Sequence, residues 1–188
     1  MLDPLTSSYF ILTLQCALSL SLTIVSLVFP NWLTFKAPSP LEFHLNFGLF
    51  RYCSTLLNTC RVFPDPDKGD CDDPGFCSTW HAAQFTQIGA VAVGILTLCF
   101  LISLVFKPSY RQRTSWPLVL ALLSLFTLFQ ISSMSCIAYL YNNSKWFYIG
   151  TNYGFAFYLS LGSWLITASA SAFLIGFVVN RPVVYEAI

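Results

Sequence analysis

Long apolar stretches alternate with shorter polar ones along the chain. Four of the apolar stretches contain no Asp, Glu, Lys, Arg or His, and they span residues 9–29, 82–106, 116–141 and 151–180. Each reaches the roughly 20 residues that an α-helix needs to cross a hydrocarbon layer ~30 Å thick. The pattern therefore predicts four transmembrane helices, packed as one bundle in a single domain over residues 1–188.

The first apolar stretch also has the position of a cleaved signal peptide. No Lys or Arg precedes it, its apolar run is longer than the core of a usual signal peptide, and no small-x-small cleavage pattern follows it. We therefore expect the first helix to be retained in the membrane.

The polar segment between the first two predicted helices, residues 30–81, changes character along its length. Residues 41–53, LEFHLNFGLFRYC, are rich in aromatic side chains and partly alternate apolar with polar positions, which is typical of one or two short strands. Residues 64–75, PDPDKGDCDDPG, hold three prolines, two glycines and five aspartates, a composition that favours irregular turns. The segment is expected to form a small β-sheet followed by an acidic turn.

The acidic turn raises the question of a calcium site. Only Asp65 and Asp67 have the alternate spacing with which an EF-hand loop begins, and Pro66 lies between them. A solvated acidic turn is therefore the better interpretation, and no metal site is predicted.

The composition agrees with a membrane protein and narrows its chemistry. Hydrophobic residues make up 56% of the chain and charged residues 9%, against about 25% charged residues in a soluble domain. Because no Asp, Glu, Lys, Arg or His lies inside the apolar stretches, a proton-coupled transporter and an intramembrane protease are both disfavoured. We predict no catalytic residue and no cofactor. The polar amides left inside or beside these stretches, which can bond between helices, are Gln15, Gln84, Gln87 and Gln130.

The charges in the short loops predict the orientation. The predicted turn at 107–115 contains Lys107, Arg111 and Arg113 and no acid, which is typical of a cytoplasmic loop. With four spans, both termini, including the tail at 181–188, are then cytoplasmic and the 30–81 loop lies outside. The plasma membrane is the expected location, with the endoplasmic reticulum or another endomembrane as the alternative.

Cysteine usage supports the same topology. Four of the seven cysteines, Cys53, Cys60, Cys71 and Cys77, lie in the loop placed outside, which indicates two disulfides in an oxidising compartment. Three pairings are possible, and proximity favours Cys53 with Cys60 and Cys71 with Cys77. A zinc site would be expected to show C-x2-C pairs, which the sequence lacks.

Two further motifs concern helix packing and modification. Ala168, Ala172 and Gly176 recur at every fourth residue, and small residues at this spacing let helices approach closely in lipid. We expect this face to pack within the chain, with a second copy as the alternative.

Asn142 begins an Asn-Asn-Ser glycosylation pattern on the predicted outer side. It abuts the third helix, so we expect it to be unmodified.

The residues Trp32, Gly48-Leu49-Phe50, Cys53 and Cys60 form a pattern that resembles the first-loop signature of claudins. Related patterns occur in the peripheral myelin, lipoma-fusion-partner-like and fungal PalI/eisosomal families. Phe50 stands where claudins have tryptophan. The resemblance implies an all-α four-helix bundle with a disulfide-pinned extracellular sheet, in which Leu49 and Phe50 seat the sheet on the helix ends near Trp32.

The resemblance also implies a function. It is that of a non-enzymatic plasma-membrane protein that organises lateral membrane domains, maintains the cell surface or wall, or supports a signalling receptor. Its expected partners are the lipid bilayer and other membrane proteins, self-association included, and not nucleic acid. The alternative is a channel or transporter, or an auxiliary subunit of one, that uses the glutamines and the acidic loop to conduct or attract cations.

Overall fold

A computed structural model describes residues 4–37, 43–145, 147 and 150–179. Four long helices dominate it: α1 is Pro4–Val28, α2 Phe76–Val105, α3 Ser109–Asn143 and α4 Phe155–Val179. Each helix is long and apolar enough to cross a membrane. The predicted fold class, a four-helix membrane protein with a small antiparallel sheet, is confirmed.

The connection between α2 and α3 is shorter than predicted. Residues 107–115 were expected to form a turn, but α3 already begins at Ser109, after Pro108 in an extended conformation. The polar start of α3 is stabilised by its contact with α2: Gln112 Nε2 donates to Leu104 O at 3.0 Å and to Lys107 O at 3.2 Å. The prediction failed because a helix can continue beyond the hydrocarbon, where its residues need not be apolar.

Five short strands form one antiparallel sheet. They are β1 Leu33–Lys36, β2 His44–Phe47, β3 Arg51–Ser54, β4 Thr59–Val62 and β5 Thr151–Tyr153. Their order across the sheet is β4-β3-β2-β1-β5. The sheet is therefore larger than the one or two strands expected from 41–53, and the loop before α4 supplies its last strand.

Strand β5 replaces what was predicted as the start of the fourth helix. Residues 151–153 pair with β1, with Leu33 opposite Tyr153. The chain then turns into α4 at Gly154, where a Cβ atom would lie 2.1 Å from the Asn31 carbonyl oxygen. The apolar character of this segment could not distinguish a helix from a strand, because both elements bury apolar side chains.

In the bundle, α1 packs against α2 and α4, and α3 packs against the same two helices. The α1–α2–α3 contact is close at Gly94, where a Cβ atom would lie 2.9 Å from Leu20 Cδ1 and 3.0 Å from Phe126 Cζ. The lack of a side chain at Gly94 therefore lets the three helices pack closely at this level.

The predicted small-residue face of α4 does not pack within the chain. Ala172 is exposed, Ala168 is only half-buried, and a Cβ atom on Gly176 would meet nothing within 4 Å. The buried face of α4 is instead the one that carries Ser160, Ser163, Thr167, Ala170 and Leu174. The expectation was wrong because hydrogen bonds to α1, described next, select a different face of the helix.

A cluster of polar side chains links three helices inside the bundle. Its members, Ser19 and Thr23 of α1, Gln130 of α3, and Ser163 and Thr167 of α4, are all at most 1% exposed. Ser19 Oγ donates to Ser163 O at 3.1 Å, and Ser163 Oγ donates to Ser19 O at 2.7 Å. These reciprocal bonds fix α1 against α4. We call this group of five residues the polar cluster.

Gln130 attaches α3 to the same group. Its Nε2 atom donates to Thr23 Oγ1 at 2.9 Å and to Ser163 Oγ at 2.7 Å, and its Oε1 atom accepts from Thr167 Oγ1 at 3.2 Å. In a hydrocarbon layer no water can replace these partners, so each group depends on its neighbours within the bundle.

We predict that Gln130→Leu lowers the free energy of unfolding in detergent by about 2 kcal/mol, since it removes three interhelical hydrogen bonds that are worth about 0.6 kcal/mol each on average. Thr127→Ala is the matched control, because among the described residues Thr127 Oγ1 bonds only to Leu123 O of its own helix. Denaturant-unfolding curves of the purified variants measure the difference. Equal stabilities of the two variants would contradict a structural role for the cluster.

Candidate functional site on the sheet

The sheet and its connecting loops form a compact layer across one end of the bundle. We call residues 30–37, 43–75 and 150–154 the sheet unit. Trp32 is 0% exposed, and its Nε1 atom donates to Ser26 O at 2.7 Å. This bond joins the first residues after α1 back to α1 itself, so the sheet starts from a fixed point on the bundle.

Helix α2 holds the sheet at a second point, the carbonyl oxygen of Leu49. Trp80 Nε1 donates to this oxygen at 2.9 Å and Gln84 Nε2 donates to it at 2.6 Å. The Leu49 side chain is itself 0% exposed. Trp80 and Gln84 of α2 therefore hold the sheet through the Leu49 carbonyl. The sequence indicated Leu49, and Gln84 as an amide able to bond between helices, but it did not indicate that Trp80 and Gln84, 31 and 35 residues further along the chain, both donate to the Leu49 carbonyl.

The neighbouring residue Phe50 does not share this role. It was expected to seat the sheet with Leu49, but its side chain is 37% exposed. The turn between β2 and β3 directs Leu49 inward and Phe50 outward. Gly48 begins this turn, and its N–H donates to Arg51 O at 2.8 Å. A Cβ atom on Gly48 would lie 2.4 Å from Pro30 Cα, so a side chain there would collide with the backbone.

An aromatic cluster fills the space between the sheet and the helix ends. Phe63 packs edge-on against Trp80 with ring centroids 4.9 Å apart, and Phe47 packs edge-on against Phe63 at 5.6 Å. Phe76 stacks on Trp80 at 5.5 Å. Such pairs contribute about 0.5 to 1.5 kcal/mol each beyond the burial of their area. The sheet unit thus shares one apolar core with the ends of the helices.

Two disulfides brace the sheet unit, with the pairing that proximity favoured. Cys53 and Cys60 stand directly opposite each other on β3 and β4, and their Cα atoms are 4.1 Å apart. Cys71 is bonded to Cys77 in the first turn of α2, with Cα atoms 5.4 Å apart. One bridge therefore fixes the outer hairpin, and the other fixes the acidic segment to the bundle.

The acidic segment was predicted to be a solvated turn, but part of it is buried. Asp70 is 0% exposed and forms an ion pair with Arg61, whose Nη2 atom donates to Asp70 Oδ1 at 2.7 Å. The N–H of Asp65 donates to Asp70 Oδ2 at 2.8 Å. The hydrogen bond to Asp70 raises the pKa of Arg61, so this guanidinium stays charged. Arg61 also lies over the Tyr52 ring at 4.9 Å, close enough for a cation–π contact.

Asp73 ties the same segment to α3. Its Oδ2 atom accepts from Ser144 Oγ at 2.9 Å and from Lys145 N at 3.2 Å, just beyond the end of that helix. No group of three or more His, Cys, Asp or Glu side chains suited to a metal ion occurs among the described residues. The acidic residues that were considered for calcium act here, in part, as structural hydrogen-bond acceptors.

Asn142, the possible glycosylation residue, lies in the last turn of α3. Its exposed side chain donates from Nδ2 to Ala138 O at 2.8 Å. Whether it is modified stays a prediction from the sequence.

Two adjacent, strongly exposed apolar residues of the sheet unit lie at the turn between β3 and β4. Leu56 is 70% exposed and Leu57 71% exposed. The chain enters β3 beside the buried Leu49, so residues 55–58 connect β3 to β4 at the opposite end of the hairpin. We call these four residues the hairpin tip. Sequence reasoning missed it, because STLLN within a partly apolar loop gives no sign of exposure.

Comparison of the sequence with protein-family models and with curated proteins finds no match. The resemblance to claudins therefore stays a prediction from the motif residues.

We predict that Cys53→Ser and Cys60→Ser, singly and together, each destabilise the protein by about 2 to 4 kcal/mol. The single variants should be as damaging as the double, because each leaves an unpaired thiol in an oxidising compartment. Mobility on non-reducing gels and delivery to the cell surface measure the effect. Cys99→Ser is the control, since Cys99 is free and exposed. If all variants behaved like the control, the bridge would have no structural role.

We also predict that Gly48→Ala destabilises the seat of the sheet by roughly 1 to 3 kcal/mol, as overpacking against fixed backbone does. Gly162→Ala is the control, because a Cβ atom there meets nothing within 4 Å. Thermal unfolding followed by the fluorescence of the five tryptophans, which include Trp32 and Trp80 at the seat of the sheet, measures the midpoints. A Gly48→Ala midpoint equal to that of Gly162→Ala would show that the turn has room for a side chain.

Proposed function

We propose that the protein is a non-enzymatic, claudin-like protein of the plasma membrane that organises the surrounding membrane or supports a partner protein through its sheet unit. Both termini lie in the cytoplasm, and the sheet unit lies outside. The observation that carries this proposal is the hairpin tip: two exposed leucines on a short hairpin braced by a disulfide.

The hairpin tip has the character of a contact surface. An exposed apolar pair at the end of a hairpin costs solubility, and contiguous exposed apolar groups mark interaction sites in many proteins. Cys53 and Cys60 hold the two strands behind the tip, so little conformational freedom is lost when a partner binds. The tip lies at the end of the hairpin opposite the Leu49 turn, by which the sheet is held on the bundle.

The claudin-like part of the proposal is supported by the roles of the motif residues. Trp32 anchors the sheet to α1, Gly48 permits the close turn, and Leu49 receives the two donors from α2. Cys53 and Cys60 close the outer hairpin. Residues spread over about thirty positions thus act on one structural feature, which is the seat of the sheet.

A role in ion transport is the second candidate, favoured by two orphan polar atoms. Gln87 Oε1 and Ser160 Oγ are buried and have no hydrogen-bond partner in the described part of the chain. Unpaired polar groups inside a bundle are typical of a path for water or ions. The polar cluster argues against such a path, because Gln130 uses both atoms of its amide on neighbouring side chains.

Affinity capture from gently solubilised membranes tests the leading proposal. We predict that the wild type retains a membrane partner that Leu56→Ser/Leu57→Ser loses by at least tenfold, because the apolar contact is removed. Thr59→Ala, an exposed change on the same hairpin, should retain it. Equal capture by both variants would contradict the role of the hairpin tip.

Reconstitution into liposomes distinguishes the two candidates. The leading proposal expects no ion flux from the purified protein alone. Ion flux through the wild-type protein that is lost in the Gln87→Leu variant would instead establish the transport function and contradict the leading proposal.

A further inference from the structure

A pocket of about 280 Å³ opens where the sheet unit meets the end of α1. Its lower wall is formed by Leu27, Val28 and Phe29, and its upper wall by the turn that carries Phe50 and Arg51. The volume approaches that of ordinary ligand sites, which begin at about 300 Å³. The pocket belongs to neither the hairpin tip nor the polar cluster.

The position of the pocket sets the chemistry around it. α1 ends at Val28 after 25 residues, about 37 Å of helix, so the pocket lies near the boundary between hydrocarbon and headgroups. Val28 is 70% exposed and Phe29 46% exposed. Apolar side chains this open at the end of a membrane span face acyl chains.

Arg51 supplies a positive charge at the same place. None of the residues that line the pocket is acidic. Within the described residues the side chain of Arg51 has no hydrogen-bond partner, and the ion pair of Arg61 with Asp70 leaves Arg51 out. An unpaired guanidinium above an apolar wall is complementary to an amphiphile with an anionic group.

The walls of the pocket are held in place before any ligand binds. Gly48 lies directly against Pro30, and the Leu49 carbonyl accepts from both Trp80 and Gln84. The Phe63 N–H donates to Phe50 O at 3.1 Å, which fixes the far side of the turn. A preformed pocket of this kind binds without the cost of ordering a loop.

We propose that this pocket binds one glycerophospholipid of the leaflet on the sheet side, with its phosphate at the Arg51 guanidinium and an acyl chain along Leu27 and Val28. The lipid would fill the angle between α1 and the sheet unit. It would thereby couple the position of the sheet to the composition of that leaflet. The inference needs only that α1 crosses the membrane, and it does not depend on the proposed function.

Native mass spectrometry of the delipidated full-length protein tests this proposal. The probes are palmitoyl-oleoyl phosphatidylglycerol and the diacylglycerol with the same chains, which lacks the phosphate. We expect one phosphatidylglycerol per chain, bound at least tenfold more tightly than the diacylglycerol. Arg51→Gln should weaken phosphatidylglycerol binding about tenfold and leave diacylglycerol binding unchanged. Lys36→Gln, the same charge change at the exposed end of β1, should have less than a twofold effect.

A second pair of variants tests the apolar wall. Val28→Ser should weaken both lipids by a similar factor, whereas Leu14→Ser, an equally simple change at another exposed position of α1, should weaken neither. The proposal is overturned if diacylglycerol binds as tightly as phosphatidylglycerol, or if Arg51→Gln and Lys36→Gln behave alike. Displacement of the lipid by inorganic phosphate alone would also overturn it, since the site would then recognise a free anion.

Discussion

Polar groups that lie within the hydrocarbon must find their partners inside the bundle, and this constraint governs the arrangement of the chain. The reciprocal hydrogen bonds between Ser19 and Ser163 provide such partners between α1 and α4. Gln130 joins α3 to the same group by donating to Ser163. Because lipid chains are as apolar as leucine, burial of apolar side chains gives little preference for one helix face over another. The hydroxyl and amide groups supply that preference.

The sheet unit depends on the bundle for the same reason. Five strands of three or four residues bury little area by themselves, and short isolated hairpins are marginal in water. The donors from α2 to the Leu49 carbonyl and the bond from Trp32 to Ser26 attach the sheet where the helices emerge from the membrane. The two disulfides then restrain its outer parts. The sheet is in effect a continuation of the helix bundle and not a separate domain.

This construction places three surfaces at defined positions. The hairpin tip lies at the end of the hairpin opposite the Leu49 turn, the Arg51 pocket lies between the end of α1 and that turn, and the small-residue face of α4 is left uncovered by the rest of the described chain. Each is supported by a rigid element behind it. For a protein whose proposed work is to hold partners or lipids at one membrane surface, such rigidity limits the entropy lost on binding.

Much of the fold could be predicted from residue order alone. Four charge-free apolar stretches are sufficient for four spans, because only a helix or a closed barrel satisfies the backbone within lipid. Cysteine proximity indicated the correct pairs, and Trp32, Gly48 and Leu49 indicated the seat of the sheet. The disulfide pairs and the motif residues lie close together in the sequence. The four spans follow from the apolar environment of the membrane, which is the same for every helix.

The remaining features depend on residues far apart in the chain. Strand β5 forms only because β1 offers it an edge, and Asp70 is buried only because Arg61 folds back onto it. Phe50 turns outward, although its aromatic side chain favoured burial. The face of α4 with Ala172 is left unpacked, although its small residues favoured close helix packing. The sequence by itself determined which segments enter the membrane and where the sheet is anchored. Tertiary structure decided which face of each element is buried, because that choice is made by hydrogen-bond partners that lie up to 148 residues away.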